Sequence, residues 1–358
     1  MKDSQKDSNV ALYRKYRPET FDEVIGQDHI VKVISGSLSV GKVAHAYLLC
    51  GPRGTGKTTI ARIIARELGT SVNDIYEMDA ASNRGIDDIR EINENVRTLP
   101  FDSKYKIYIL DEVHMFTKEA WNALLKTIEE PPEHVIFILA TTEFEKIPET
   151  IVSRCQSFIF KKPNDALLSS HIKNIAKKEG YKLADGGAEL IALLADGAFR
   201  DALGTLQKVI SFSKDKVIEI SEIEEITGAP NTTLVDDFLG ALAMNDIEKG
   251  FTSIEKAVGQ NIDMSIYIKM ILYKLRYALI LRYVPAMRKS VEKVLGERDI
   301  EYLTSLISSK PEHISSSTLS ILLEAYQQTK NAFISELPLE LALIKILNAE
   351  NQNKQTAQ

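Results

Sequence analysis

Gly51-Pro52-Arg53-Gly54-Thr55-Gly56-Lys57-Thr58-Thr59 decides the fold. The stretch satisfies G-x-x-x-x-G-K-[ST], a pattern that carries meaning only between a buried strand and a helix. Both flanks are present. Ala46-Tyr47-Leu48-Leu49-Cys50 before it is a short apolar run, and Ile60 to Leu68 after it is amphipathic. Glycines let backbone N–H groups turn inward around phosphate oxygens, and the helix N-terminus adds partial positive charge. In such a loop Lys57 bridges the β- and γ-phosphates, while the Thr58 hydroxyl ligates Mg²⁺. The rival reading is a glycine-rich turn before an ordinary helix, and the strand and helix around the motif weigh against it.

Downstream, Ile75 to Asp79 reads as a second strand, and Ala80 to Gly85 turns into a helix beginning near Ile86. Arg84 and Arg90 lie within two turns and can face a common partner, although a solvated helix face is the commoner cause of such charges. Tyr105 to Leu110 is a buried strand that delivers Asp111 and Glu112 to its C-terminal end, where parallel α/β sheets bind ligands. Asp111 suits Mg²⁺ coordination, and Glu112 suits polarising an attacking water. The plainer reading is that both acids cap the next helix, Lys118 to Glu129. That helix shows Trp121, Leu124, Leu125 and Ile128 on one face and stops at Pro131-Pro132. Val135 to Ala140 is another buried strand; Thr141-Thr142 at its end can reach a γ-phosphate or simply belong to the strand. Ser153-Arg154-Cys155 and a short strand, Ser157 to Phe160, follow. Upstream, Leu12 to Pro18 reads as an extended or turning basic arm, since Pro18 bars a helix just before it. Helical spacing returns from Ile30 to Leu38.

Lys161-Lys162-Pro163 and Gly228-Ala229-Pro230-Asn231 break the composition, and everything beyond the first break reads as helical. The expected helices are 164–179, 185–196, 199–213, 221–227, 231–244, 246–259, 263–284, 286–295, 299–309, 315–333 and 336–348. The chain thus divides into an α/β domain over 11–161 and helical domains over 162–227 and 228–348, with unstructured ends at 1–10 and 349–358. Arg200 stands in the first turn of its helix, against the dipole. With 358 residues, 44 % apolar and 26 % charged, the composition is that of a soluble multidomain protein. A net charge of −6 argues against a wholly basic nucleic-acid binder. Cys50 and Cys155, far apart, exclude a cysteine-built zinc site and fit the reducing cytoplasm. Met1 to Asn9 has no apolar core, so no secretory signal is expected. The apolar stretch Ile266 to Val284 is interrupted by Lys269, Lys274, Arg276 and Arg282, so it reads as a buried helix rather than a membrane span.

Lys15-Tyr16-Arg17-Pro18, the phosphate loop, Asp111-Glu112-Val113-His114, Asn122 to Lys126 through Glu129-Glu130-Pro131-Pro132, Ala140-Thr141-Thr142, Ser153-Arg154-Cys155 and Arg200-Asp201-Ala202-Leu203 make a set. Together they closely resemble the gamma/tau subunits of bacterial DNA polymerase III, the ATPases of the sliding-clamp loader. The resemblance spans residues 11 to about 210, and replication factor C small subunits share the scheme. It implies an AAA+ P-loop NTPase module with a doubly wound parallel sheet, an all-α lid and an all-α collar. It also implies ATP and Mg²⁺ held by Lys57 and Thr58, hydrolysis by Asp111 and Glu112, Thr142 and Arg200 as first and second sensors, and Arg154 as a finger reaching a neighbour's ATP. Tyr13, Arg17, Val24 and Ile25 would line the adenosine pocket, and Arg84 and Arg90 would face DNA. Implied partners are delta-type and other subunits of a pentamer, the clamp and primer-template DNA, with no membrane.

Two departures from the family pattern stand out. Arg66 to Ile75 runs on without the usual four cysteines, so no zinc is expected. The chain also ends soon after the collar, as in the short gamma form. Two further readings remain: a non-hydrolysing structural subunit, which would be expected to lose Lys57 or the acid pair, and another AAA+ motor such as a branch-migration helicase.

Overall fold

The computed structural model describes residues 10–292, 294–308 and 311–355. The expected loose ends therefore fall outside the described residues at 1–9 and 356–358. The described chain forms two compact units. One runs to Leu168 and takes in Ala195–Gly204; the other holds Ser169–Leu194 and the chain from Thr205 onward.

In the first unit, β1 (Ala46–Cys50), β2 (Ile75–Asp79), β3 (Lys106–Asp111), β4 (Val135–Thr141) and β5 (Gln156–Ile159) form a sheet ordered β2-β3-β4-β1-β5. Every neighbouring pair is parallel. Around it run α1 (Leu12–Lys15), α2 (Asp28–Ser39), α3 (Lys57–Glu67), α4 (Ile86–Asn95), α5 (Lys118–Glu129) and α6 (Glu149–Val152). Successive strand residues face opposite sides, which explains the near-continuous apolar runs: both sides are covered. Ile107, Ile109, Ile136 and Ile138 pack with Ile30 and Ile34 of α2 and Ile60, Ile63 and Ile64 of α3. Tyr108, Leu110, Phe137 and Leu139 pack on the other side with Ile89 and Ile92 of α4 and Trp121, Leu124 and Ile128 of α5. Each such isoleucine contributes about 1.5–3 kcal/mol on burial, so three of them hold α3, the helix carrying Lys57 and Thr58, firmly to the sheet. This is the doubly wound α/β sheet expected from the sequence.

The second unit is built on α7 (Asp165–Lys178), which begins in the first, then β6 (Lys182–Leu183), α8 (Gly187–Leu194), α9 (Phe199–Phe212), β7 (Val217–Ile218) and α10 (Ile220–Thr227). It continues through α11 (Thr232–Met244), α12 (Ile247–Gly259), α13 (Met264–Tyr283), α14 (Arg288–Glu292), α15 (Glu297–Ser308), α16 (Ser316–Thr329) and α17 (Leu337–Gln355). The sequence reading of α13 as a buried helix holds, and its cations explain themselves. Lys274 meets Asp236 at 2.7 Å and Asp299 at 2.8 Å. Lys269 donates to the Leu193 carbonyl at 2.6 Å, and Arg282 to those of Pro311 and Ile314, both at 2.7 Å. Among the described residues no helix is long and apolar enough to cross a membrane.

Leu12–Lys15 takes the turning alternative of its extended-or-turning reading and closes one helical turn, since Pro18 restricts only the residue just before it. Two local expectations are corrected. Among the described residues beyond Lys162 there is one parallel ladder, β6 with β7, whose two-residue strands are too short to show an alternation. Finally, α17 runs through Gln355, past the expected break at 349. The chain there offers Asn, Gln, Glu and Lys but no Gly or Pro to stop a helix.

Candidate nucleotide-binding site

Three adjacent strands end together. β1 opens into the glycine loop, β3 ends on Asp111 beside Glu112, and β4, lying between them, ends on Thr141 beside Thr142. The loop is tied to this edge by Gly51 N–H, which donates to the Thr141 carbonyl at 3.1 Å. Gly51 and Gly54 have φ of 149° and 74°. A Cβ on Gly51 would lie 2.7 Å from Phe160, and one on Gly54 would lie 2.8 Å from the Cβ of Ala198. Positive φ and close approach together leave glycine as the residue both positions accept without displacement. Thr55 Oγ1 donates to the Pro52 carbonyl at 2.8 Å and stiffens the turn. Pro52, Gly56 and Thr59 are half-buried and Arg53 is exposed. No side chain caps α3, so its first N–H groups point outward from an open N-terminus.

Lys57 is buried, and its ammonium donates to the carbonyls of Gly51 at 2.7 Å and Pro52 at 3.1 Å. Burial lowers its pKa, and the nearby carboxylates of Glu112 and Asp111 oppose that shift. Thr58 Oγ1 donates to Asp111 Oδ2 at 2.7 Å, so the two expected magnesium ligands are in contact. Asp111 Oδ1 accepts from Glu112 N–H at 3.0 Å. Glu112 has φ 50°, a left-handed conformation costing about 1–3 kcal/mol in a non-glycine residue. The turn carries its carboxylate to the end of β4, where Oε2 accepts from Thr142 N–H at 3.3 Å and Oγ1 at 3.2 Å. The two acids do not cap α5. Thr117 does, accepting from Ala120 N–H at 3.2 Å.

His114 is the residue the sequence reading passed over. Its Nδ1 lies 3.1 Å from Thr141 Oγ1 and 3.4 Å from Glu112 Oε2, and its Nε2 lies 3.1 Å from Glu143 Oε1. A polar residue two positions beyond Glu112 was the available signal, but periodicity says nothing about a side chain in a tight turn. The thiols are quiet: burial raises Cys50 to about 11 and Cys155 to about 12, so neither is a ready nucleophile at neutral pH.

Of the expected adenosine-pocket residues, Tyr13 and Arg17 come together with Arg200. The Arg200 guanidinium sits 5.9 Å from the Tyr13 ring centre. Arg17 is half-buried, and burial, then Arg62 and Arg200, hold it below the usual arginine value. Phe199 N–H donates to the Gly54 carbonyl at 3.1 Å, which brings the first turn of α9 against the loop. Val24 and Ile25 are half-buried in the bend after Phe21–Glu23. Arg84 is exposed before α4, whereas Arg90 on α4 pairs with Asp87 at 2.8 Å. Arg154 pairs with Glu129 at 2.6 Å.

The residues present fit a magnesium-bound nucleotide: open N–H groups and Lys57 for phosphates, and the Thr58 and Asp111 oxygens for a hard cation. Among the described residues no group of three or more His, Cys, Asp or Glu is placed to hold a metal.

The fold is that of AAA+ modules. The Thermotoga maritima RuvB Holliday junction branch migration motor matches with a TM-score of 0.50 and 25 % identity, over 63 % of this chain and 79 % of that one. A family model described as DNA polymerase III, delta subunit, matches residues 69–164. The DNA polymerase III subunit tau of Bacillus subtilis is 36 % identical over 97 % of this chain, and the chain spans 64 % of that relative's length. Other curated gamma/tau relatives are spanned less fully, down to 41 %. The DNA polymerase III subunit gamma of Buchnera aphidicola subsp. Baizongia pistaciae is 35 % identical over 85 % of this chain and 92 % of its own length. With that identity across nearly the whole of a gamma subunit, the chain belongs to the DNA polymerase III gamma/tau family.

Proposed function

We propose that this chain is an ATPase subunit of a clamp loader, in which ATP binding and hydrolysis drive a sliding clamp onto primed DNA in the cytoplasm. The contact of Thr58 with Asp111, beside Lys57 and Glu112 at one sheet edge, carries the reading. When bound, Mg·ATP supplies the phosphoanhydride bond. Lys57 and the α3 N-terminus compensate phosphate charge, and Thr58 and Asp111 hold the cation. Glu112 accepts a proton from the attacking water, and Thr142 keeps its carboxylate aimed. Arg200, against Tyr13, senses the nucleotide from the lid. Retention of Lys57 and both acids supports a hydrolysing subunit over a purely structural one.

The division into nucleotide domain (11–161), lid (162–227) and collar (228–348) belongs to this proposal. So do delta-type partners in a pentamer, DNA contact at Arg84 and Arg90, and the absence of a zinc requirement.

Arg154 acts in this reading on a neighbour's γ-phosphate, an effect worth about 10³ to 10⁵ in rate in the strongest cases. Mixing tests it. A Glu112→Gln subunit, intact at Arg154, should restore hydrolysis in an adjacent Arg154→Ala subunit within the assembled complex. ATPase stimulated by clamp and primer-template, and a mixture faster than either variant alone, are the expected results. A mixture no faster than its parts would remove the trans role, and stimulation by a four-way junction instead would favour a branch-migration motor.

A further inference from the structure

Arg154 is held by three acceptors. Nη1 donates to the Thr150 carbonyl at 2.7 Å and to Ser153 Oγ at 3.2 Å, and Nη2 meets Glu129 Oε1 at 2.6 Å. Two of these lie in Arg154's own stretch of chain and move with it. Glu129 comes from a separate element as the last residue of α5. An acid is disfavoured at that end of a helix, where the dipole is negative, so Glu129 does not serve α5. The helix is secured without it, by the Thr117 cap and by buried Trp121, Leu124 and Ile128. Both side chains of the pair are 37 % exposed. Exposed ion pairs contribute little to stability, so the contact matters for where the guanidinium points.

We infer that Glu129 is a positioning residue for ATP hydrolysis: it is the post against which Arg154 is oriented before it meets a neighbouring subunit's phosphate. The inference rests on the proposed trans role of Arg154. An arginine has many rotamers, and a planar fork reaches phosphate productively in few of them. A carboxylate on a fixed helix end selects among those rotamers before the subunits meet.

The test uses the full chain assembled with its partner subunits, with clamp and primer-template present. Glu129→Ala should lower kcat about tenfold, because small misplacements of a charge-stabilising group are costly. Equilibrium ATP affinity and melting temperature of the isolated chain should not change. Glu129→Gln, which keeps an acceptor oxygen, should recover part of the rate. Glu129→Ala added to Arg154→Ala should slow the complex no further than Arg154→Ala alone, since a positioning residue has nothing left to position. If Arg154→Ala slows the complex while Glu129→Ala and Glu129→Gln do not, or if the two losses multiply, Glu129 has no such role. If Arg154→Ala itself leaves kcat unchanged, the trans reading fails and this inference falls with it.

Discussion

Lys57 shows what one buried cation does before any ligand arrives. Its ammonium leans on the Gly51 and Pro52 carbonyls, and burial works against its charge while Glu112 and Asp111 support it. Carbonyl dipoles compensate a full charge incompletely, so the group is primed for an anion. Charge-assisted hydrogen bonds are worth about 1.5–3 kcal/mol, and Lys57→Ala should therefore weaken ATP binding about ten- to a hundredfold. Equilibrium titration with a fluorescent ATP analogue measures this, and wild-type affinity would take Lys57 out of the site. Candidate residues for phosphate, magnesium and water were readable at this scale, because each demands a particular donor or acceptor at a set spacing. The contacts among them were not. His114 touches Thr141, Glu112 and Glu143 only because β3 and β4 end side by side.

At the scale of elements, a buried carboxylate ties the connection between α4 and β3 to the chain just before β2. Asp74, buried just before β2, accepts from the N–H groups of Phe101 and of Asp102, the latter at 2.8 Å. Lys106 secures the same segment through Asn95 O at 2.8 Å and Thr98 Oγ1 at 2.7 Å. Leu99 and Phe101 are 78 % and 86 % exposed on this pinned loop. Burial pushes the Asp74 pKa up, but the hydrogen bonds from Phe101, Asp102 and Ser103 bring it below the ordinary 3.8. A folded-state pKa below the unfolded one adds stability that is fully present above about pH 4 and is lost as pH falls through the folded value. Asp74→Asn should lower stability by about 1–3 kcal/mol near neutral pH, and the deficit should shrink as pH drops. Melting curves of both proteins between about pH 3 and 6 decide it: a deficit independent of pH would assign Asp74 no ionic role.

On the whole-molecule scale, the second unit contains a buried charge cluster that joins α11, α13 and α15. Lys274 has a side chain 5 % exposed and bridges Asp236 and Asp299. Burial, opposed by Lys274, raises the Asp236 pKa. Removing the lysine would leave two carboxylates facing each other without a cation, and breaking such a buried pair costs about 3–5 kcal/mol. Lys274→Met should show that loss in urea denaturation, and adding Asp236→Asn and Asp299→Asn should recover most of it. ATP affinity of the folded Lys274→Met chain should stay at the wild-type value. Equal instability of the single and triple variants would mean that packing, not charge, holds this junction.

The sequence alone determined the phosphate loop, the acid pair, the buried strands and the family, because each is written in short-range spacing: five residues for a strand, nine for the loop. It also marked α13 as a buried helix interrupted by cations rather than a membrane span. Only the tertiary structure decided which partners satisfy them, that the strands stand in the order β2-β3-β4-β1-β5, that Ala195–Gly204 returns to the first unit, and that Arg154 rests on Glu129. These facts depend on residues far apart in the chain, and local periodicity records which face of an element is apolar without naming the surface that will cover it.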